Sequence, residues 1–404
     1  MPEPDRRDVA VVLSGGGING VLLELGFLER LREDPLWERV GWIYGTSAGA
    51  LCGTMAALDR LPDLEQFLLE LRAEDAFRPR RIWQLPFGGL HDYTLPATIA
   101  DRIGDDEEIG SALASAEIEL VVVATDLSEP IDGDRERSFE LVYASHSTPP
   151  ATMARAVLAS AAVSAIVLPI RVEEAIATDG GWVRNFPLEH AYDNGAVGGI
   201  VAFRYLSAYP PTDGAFLERL RERLEHLRAV PPVRAVVEEL KLAEERRERG
   251  EPAHYPELIG RLMRVAINRN TFVEEKLADE RDLVLTELDR LRDDVVEAAL
   301  AAAPRWRRRK LRAELAARFA SARLPFHRER PVPRLVVRAT AGDDALEPMF
   351  RGDPPWSEER KRALIARGYE LTAAELARSE GALSQRTEEG RLGPGQAVGP
   401  HAGE

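Results

Sequence analysis

The chain has 404 residues, of which 45% are hydrophobic and 30% charged, a composition typical of a folded globular protein. Its formal net charge of −15 argues against general nucleic-acid binding and against adhesion of the whole surface to anionic lipid. The single cysteine, Cys52, excludes an intrachain disulfide and a cysteine-based metal site, and we expect it to be a small core residue. No secretory signal is visible at the start, and the longest apolar run, Ala156 to Ile170, is too short to span a bilayer. A cytoplasmic location is therefore the expectation.

Strands and helices alternate from the beginning of the chain. The apolar run Val9–Leu13 predicts a buried strand, which leads into a glycine-rich loop and then into helical spacing over Val21–Arg32. A second strand, Val40–Tyr44, reaches the pentapeptide Gly45–Gly49 and a further helix of small residues. Further strands are predicted at 119–124, 138–143 and 199–205, and helices at 64–71 and 149–161. This alternation predicts an α/β fold with a mostly parallel sheet between two helical layers.

The pattern changes after Pro211. Residues 214–324 are helical in pattern, with no strand evident, and a last strand at 334–338 precedes helices near 357–367 and 371–380. We therefore divide the chain into a catalytic core at 8–206, a helical insertion or subdomain at 212–330, and a strand with helices at 333–380 that completes the core. Residues 381–404 are rich in Gly, Glu, Gln and Pro and predict a disordered tail.

The pentapeptide Gly45-Thr46-Ser47-Ala48-Gly49 has the layout of a nucleophile elbow. In such an elbow a serine lies on a tight strand-to-helix turn, and the small neighbours allow the sharp backbone. A serine hydroxyl needs a base to become nucleophilic. His91, His146 and His190 fall within the α/β region and could complete a triad, but none has a context that marks it, and a structural role is favoured for each.

The glycine loop Gly15-Gly16-Gly17-Ile18-Asn19-Gly20 allows two interpretations. Its spacing fits a dinucleotide-binding loop, but the second strand then lacks the acidic residue that would hold the ribose. The alternative is an oxyanion hole, in which successive backbone N–H groups stabilise developing negative charge. The sequence favours the oxyanion hole.

A carboxylate followed by two glycines, Asp179-Gly180-Gly181, ends an apolar segment. The carboxyl end of a strand is where α/β folds place their functional sites. Seen alone, the aspartate would more often stabilise an ordinary turn.

These motifs, in this order, resemble those of the patatin-like phospholipases, whose sequences carry a G-G-G-x-x-G loop, G-x-S-x-G, and D-G-G or D-G-A. Shorter segments also resemble the family; they are Ala124–Leu127, Ala159–Ala162 with Leu168–Ile170, Asn185–Pro187 and Gly368-Tyr369. The resemblance covers residues 8–206 and 333–380.

The resemblance implies a lipid acyl hydrolase with a Ser-Asp dyad, acting on phospholipid, lysophospholipid or another fatty ester. Ser47 would be the nucleophile and Asp179 the general base, with Gly180 and Gly181 forming the base motif. The oxyanion hole would comprise Gly15, Gly16, Gly17, Asn19, Gly20 and Ala48, with donors at Gly16, Gly17 and Ala48. No metal or organic cofactor is implied.

Two positions depart from the family pattern. Asn19 replaces the usual Arg or Lys of the glycine loop, which removes a positive charge beside the oxyanion. Ser164 replaces a proline in the segment after Ala159. Asn19 and the large helical block together motivate one alternative, a catalytically silent protein that binds lipid or acts as a scaffold, and acyl transfer by the same dyad is another.

Two further segments bear on lipid contact. Arg305–Arg312 holds six cationic residues and a tryptophan, which suits a basic amphipathic helix at an anionic membrane, although a solvated helix face is the commoner explanation. Trp83, Phe87 and Leu90 could line an acyl pocket or pin a loop to the core. Long helices such as 272–300 could mediate self-association or cover the active-site mouth.

Overall fold

The computed structural model of the protein describes residues 7–79, 91–128, 139–163, 167–206, 221–222, 225, 231–249, 255–321, 331–339 and 357–389. The predicted acyl-pocket residues Trp83, Phe87 and Leu90, together with Ser164, lie outside these ranges. Of the predicted disordered tail, residues 390–404 also lie outside them.

The strands are β1 Val9–Leu13, β2 Val40–Thr46, β3 Phe77–Pro79, β4 His91–Tyr93, β5 Glu119–Asp126, β6 Glu140–Ala144, β7 Ile170–Val172, β8 Ala175–Asp179, β9 Gly199–Tyr205 and β10 Arg334–Ala339. Eight of them form one sheet in the order β10-β9-β1-β2-β5-β8-β7, with β6 also paired to β5. Strands β10, β9, β1, β2 and β5 are mutually parallel. The predicted mostly parallel sheet is therefore confirmed, and β3 and β4 form a separate hairpin.

The antiparallel strand β8 meets β2 end to end along one edge of β5. Thr46, the last residue of β2, pairs with Val123, and the last residue of β8, Asp179, pairs with the next residue, Ala124. Strand β6 occupies the opposite edge of β5 over Val121 to Thr125. Because two strands of opposite direction end at neighbouring positions, the residues that follow β2 and complete β8 are brought together.

The helices are α1 Gly17–Arg32, α2 Ala48–Ala57, α3 Leu61–Glu70, α4 Ala73–Ala76, α5 Leu95–Arg102, α6 Asp106–Ala114, α7 Pro150–Ser160, α8 Leu188–Asp193, α9 Pro231–Glu248, α10 Tyr255–Ala302, α11 Arg308–Ala320 and α12 Glu358–Glu389. One face of the sheet packs against α1, α2, α3, α6, α7 and α12 in the larger hydrophobic core. The other face packs against α8 and α10. The fold is thus the expected three-layer α/β/α arrangement.

The C-terminal segment differs from the expectation. The helices predicted at 357–367 and 371–380 are one helix, α12, which continues to Glu389, so the boundary predicted at Gly381 falls inside it. The residues between the two patterns are Gly368, Tyr369 and Glu370, and without a proline among them a single glycine does not end the helix. Gly368 instead allows α12 to pack closely on α1, since a Cβ there would lie 2.0 Å from the Leu23 carbonyl oxygen.

Candidate active site

Ser47 lies at the junction of β2 and α2 in a sharply bent backbone. Its φ of 55° and ψ of −114° place it in a conformation that side-chain-bearing residues seldom adopt. A Cβ on Gly45 would lie 2.4 Å from the Gly49 carbonyl oxygen, and one on Gly49 would lie 2.6 Å from the Leu13 Cβ. The turn therefore requires glycine at both motif positions, and it presents the serine hydroxyl at the carboxyl end of the strand.

The structure brings the Asp179 side chain to the serine. The Ser47 hydroxyl donates a hydrogen bond to Asp179 Oδ2 at 2.6 Å, and the Gly181 N–H donates one to Oδ1 at 2.7 Å. Both Ser47 and Asp179 are buried. Each carboxylate oxygen thus has a partner, and the carboxylate is held facing the hydroxyl.

The surroundings of this carboxylate raise its affinity for a proton. Burial raises the pKa of Asp179 from 3.8 to about 6, and the hydrogen bonds from Ser47 and Gly181 oppose that rise. Burial also raises the pKa of Tyr93, in β4, with a smaller contribution from the Asp179 charge. The carboxyl group is therefore a stronger base than an exposed aspartate.

The loop Asp179–Trp182, here called the base loop, fits closely against the sheet because two glycines follow Asp179. A Cβ on Gly180 would lie 2.3 Å from the Val123 carbonyl oxygen, and one on Gly181 would lie 2.9 Å from Asp179 Oδ1. A larger residue at position 180 would therefore press on β5, and one at position 181 would press on the carboxylate itself.

The glycine loop approaches Ser47 from β1. A Cβ on Gly15 would lie 3.1 Å from the Ser47 Cβ. The N–H of Gly15 donates to the Asn185 carbonyl at 2.8 Å, and that of Gly20 donates to the Gly16 carbonyl at 3.0 Å. Since both N–H groups have protein partners, these two glycines shape the loop and are not suited to be oxyanion donors.

Two helix N-termini meet beside the serine. Gly16 caps α1, which begins at Gly17 with a φ of +59°, while Ala48 opens α2. A Cβ on Gly20, in the first turn of α1, would lie 3.4 Å from the Ala48 Cβ. The first N–H groups of a helix have no intrahelical acceptor, and the helix dipole is positive there. The site therefore combines the Ser47 hydroxyl with two helix N-termini that can stabilise an anion, and Asn19 lies half-buried in that first turn of α1.

Two residues at the site had no predicted role. The hydroxyl of Ser160, at the end of α7, accepts a hydrogen bond from the Ser47 N–H at 2.9 Å and donates one to the Val123 carbonyl at 2.6 Å. The Asn185 amide donates to the Gly15 carbonyl at 3.2 Å. Both residues lie in family-like segments, but their motifs alone do not indicate which groups they contact.

The candidate histidines take other contacts. His146 Nε2 lies 3.0 Å from the Ala116 carbonyl oxygen, and His190 Nε2 lies 2.8 Å from Glu140, which also binds Arg184. The side chain of His91 lies outside the described part of the chain.

Cys52 is buried in α2, and its Sγ lies 3.4 Å from the Val21 carbonyl oxygen. Burial raises the pKa of its thiol, which keeps it protonated as expected of a core residue. Within the ranges that the structure describes, no group of three or more His, Cys, Asp or Glu side chains could hold a metal ion.

Comparisons with known proteins locate a family within the chain. Residues 11–192 match the family model described as patatin-like phospholipase. No curated protein sequence matches the chain significantly. Among solved structures, the crystal structure of VipD from Legionella pneumophila is similar with a TM-score of 0.38 and 13% identity, over 93% of this chain and 67% of that one. On the family-model match, the segment from residue 11 to residue 192 is a patatin-like phospholipase domain.

Proposed function

We propose that the protein is a serine lipid acyl hydrolase in which Ser47 is the nucleophile and Asp179 is the general base. Members of the patatin-like family are generally lipid acyl hydrolases, which supports the class of reaction. The observation that supports the dyad is the 2.6 Å hydrogen bond from the Ser47 hydroxyl to a buried carboxylate. The proposed substrates are phospholipids, lysophospholipids or other fatty esters.

In the proposed reaction, Asp179 takes the hydroxyl proton while Ser47 Oγ attacks the ester carbonyl carbon. The resulting oxyanion is stabilised by the N–H groups of Gly16, Gly17 and Ala48. The tetrahedral intermediate collapses, and the leaving alcohol takes the proton from Asp179. A water molecule then attacks the acyl-serine with the same assistance, which releases the fatty acid and restores the serine.

The electrostatic state of Asp179 suits this role. A general base works best when its pKa is near the operating pH, and burial raises the pKa of Asp179 to about 6. At pH 7 the carboxylate is mostly ionised yet accepts a proton more readily than an exposed aspartate. We expect activity to fall as the pH is lowered through about 6, because the protonated acid cannot act as the base.

A fluorophosphonate probe with intact-protein mass spectrometry tests the proposal. We expect labelling at Ser47 that disappears in Ser47→Ala and is strongly slowed in the isosteric Asp179→Asn variant. Ser147→Ala, which alters an exposed serine outside the site, is the matched control and should label normally. Failure of the folded wild-type protein to label or to hydrolyse p-nitrophenyl acyl esters would contradict the proposal.

Two alternatives use the same architecture. A silent lipid-binding or scaffold protein is favoured by Asn19, because an uncharged amide stands where the family usually has a cation. In that case only Asn19→Arg would hydrolyse esters, whereas measurable wild-type hydrolysis counts against it. Acyl transfer would yield an acylated acceptor in place of free fatty acid, so analysis of the products separates it from hydrolysis.

Membrane contact through Arg305–Arg312 is a further part of the proposal. Trp306 is 83% exposed at the turn between α10 and α11, among the cationic side chains. An exposed tryptophan with surrounding cations suits the interface of an anionic membrane. Among the described helices, none combines the length and hydropathy needed to cross a membrane. A cytoplasmic location stays a prediction.

Residues 212–330 are proposed to be an insertion in the catalytic core, with self-association as one of its roles. Val284, Leu288, Leu291 and Val295 of α10 are exposed and follow coiled-coil spacing. Glu287 and Arg292 flank this stripe at positions that would pair between parallel helices of two copies. Sedimentation equilibrium over a concentration series tests whether a second copy of the chain covers the stripe.

A further inference from the structure

Helix α10 contacts the base loop directly, although it lies outside the segment that matches the family. The side-chain amide of Asn270 donates hydrogen bonds to the carbonyl oxygens of Gly181 at 3.2 Å and Trp182 at 2.7 Å. Gly181 is also the residue whose N–H binds Asp179 Oδ1. Its carbonyl group is therefore held by Asn270 while its N–H group holds the carboxylate.

The neighbouring residue of α10 contacts the other half of the site. Thr271 is fully buried, and its hydroxyl accepts a hydrogen bond from the Asn185 amide at 2.8 Å. Asn185 in turn holds both backbone groups of Gly15, by donating to the carbonyl and accepting from the N–H. The Thr271 side chain of α10 is thus linked to the glycine loop through a single residue, Asn185.

Charged contacts fix α10 against the sheet on this side. Arg184 binds Glu274 of α10 and also Glu140 of β6. Glu275, the next residue of α10, is buried and binds Arg204 of β9 and Arg338 of β10. Because these ion pairs join the helix to three strands, Asn270 and Thr271 have defined positions relative to the sheet.

We infer that Asn270 and Thr271 are positioning residues of the active site, so that α10 sets the geometry of both the Asp179 loop and the glycine loop. This inference rests on the proposed function for its kinetic consequence. Neither side chain touches Ser47 or Asp179, so Asn270 acts on Asp179 through Gly181, and Thr271 acts on the glycine loop through Asn185. A helix that only stabilised the fold would alter the amount of folded protein and not the chemical step.

The expected kinetic effect is on kcat more than on KM. Removing the Asn270 hydrogen bonds should lower kcat about tenfold, the equivalent of about one net hydrogen bond. Asn270→Asp keeps the shape but sets a carboxylate against two carbonyl oxygens, so it should be as slow as Asn270→Ala. Thr271→Val should lower kcat, whereas Thr271→Ser, which keeps the hydroxyl, should have a kcat close to that of the wild type.

A pH profile gives a second readout. The groups that face Asp179 are the Ser47 hydroxyl, the Gly181 N–H and the Tyr93 side chain. The Gly181 hydrogen bond lowers the pKa of Asp179 against the effect of burial. Loosening that peptide in Asn270→Ala should therefore move the acid limb of kcat/KM to higher pH, while the limb in Thr271→Val should stay in place.

Arg281→Ala is the matched control. Arg281 lies on the same helix and binds Glu189 and Asp193, away from the base loop. The Arg281→Ala variant should therefore have a lower free energy of unfolding than the wild type, with unchanged kcat and an unchanged pH profile. Equal kinetic losses in Arg281→Ala and Asn270→Ala, or wild-type kinetics in Asn270→Asp and Thr271→Val, would overturn the inference.

Hydrogen exchange separates this inference from the proposed function. In Asn270→Ala, the amide of Gly181 and its neighbours should exchange faster than in the wild type and in Arg281→Ala. A wild-type protein that never reacts with the fluorophosphonate probe would refute the hydrolase proposal alone. Unchanged exchange in the base loop would refute the positioning role whatever the activity.

Discussion

The backbone of Ser47 is strained, and one buried side chain holds it. A non-glycine residue at a positive φ costs on the order of 1–3 kcal/mol and persists only where its surroundings fix it. Ser160 supplies such a contact, because its hydroxyl binds the Ser47 N–H and is itself anchored on the Val123 carbonyl of β5. The orientation of Ser47 therefore depends on α7 as well as on its own turn.

Ser160→Ala should lower both stability and activity. The loss of a buried hydroxyl that serves two backbone groups should reduce the free energy of unfolding by about 1–3 kcal/mol. Ser145→Ala is the matched control, since Ser145 is equally buried and its hydroxyl binds the Leu120 N–H at 3.0 Å, away from Ser47. Urea denaturation should show similar losses for both variants, but only Ser160→Ala should lower kcat/KM. Equal activity of the two would contradict the role of Ser160.

Asp179→Asn should remove activity and increase stability at neutral pH. Burial raises the pKa of Asp179 from 3.8 to about 6 in the folded state, so the ionised form favours unfolding. The loss of folding stability caused by ionising Asp179 is absent below pH 3.8, grows as the pH rises towards 6, and is complete above that value. A shift of about two pKa units corresponds to about 3 kcal/mol.

Urea denaturation at several pH values tests this prediction. Asp179→Asn should be more stable than the wild type by up to about 3 kcal/mol at pH 8, and the difference should shrink as the pH is lowered to 5. A stabilisation that is equal at pH 8 and pH 5, or a loss of stability at pH 8, would contradict the raised pKa of Asp179.

At the residue scale, sequence motifs identify functional residues whose structural context is formed by residues adjacent in sequence. The elbow pattern of glycines around Ser47 indicates a tight turn with an exposed serine, whereas Asp179 could be named only through the resemblance of its motif to that of the patatin-like phospholipases. Asn270 and Thr271 could not, because their partners lie about 90 residues earlier in the chain. The only sequence signal for a special role was weak: Asn270 and Thr271 are two adjacent residues of low helix propensity within a helical pattern.

At the scale of elements, the end-to-end meeting of β2 and β8 explains why a serine and an aspartate so distant in sequence come together. Parallel strands β1 and β2 could be predicted from their apolar runs. The antiparallel direction of β8 could not, since a short strand has the same pattern in either direction. The hydrophobic pattern thus gives the existence of a strand, and long-range pairing with β5 gives its direction.

The crossing of α1 and α12 is another feature of long-range packing, and it yields a prediction at Gly368. A Cβ on Gly368 would lie 2.0 Å from the Leu23 carbonyl oxygen, and one on Gly26 would lie 1.9 Å from that of Ile365. Gly368→Ala should lower the free energy of unfolding by about 1–3 kcal/mol or more, because backbone must move. This exceeds the gain of about 1 kcal/mol in helix propensity.

Gly195→Ala is the matched control, because nothing lies within 4 Å of a Cβ there. Thermal and urea denaturation of both variants should show a large loss only for Gly368→Ala. A Gly368→Ala protein as stable as the wild type would mean that α12 does not cross α1 at this residue.

At the scale of the whole molecule, charge is unevenly distributed. The chain carries a net charge of −15, and residues 277–302 of α10 hold eight carboxylates and three arginines. The next segment, Arg305–Arg312, holds six cations and no carboxylate. An anionic surface would repel the long helix and most of the protein but attract this turn. The charge pattern therefore favours contact through Trp306 and its neighbours alone.

Binding to lipid vesicles tests this orientation. We expect the wild-type protein to bind vesicles that contain phosphatidylserine more tightly than pure phosphatidylcholine vesicles, with affinity falling as salt is added. Each basic residue near an anionic surface contributes about 1 kcal/mol, so Arg308→Glu/Arg309→Glu should weaken binding at least about thirtyfold. Arg155→Glu/Arg290→Glu makes the same charge change at exposed arginines outside the cluster and should bind nearly as the wild type. Equal weakening by the two double variants would show that net charge alone governs binding, and vesicles that bind neither wild type nor variants would exclude Arg305–Arg312 as a membrane contact.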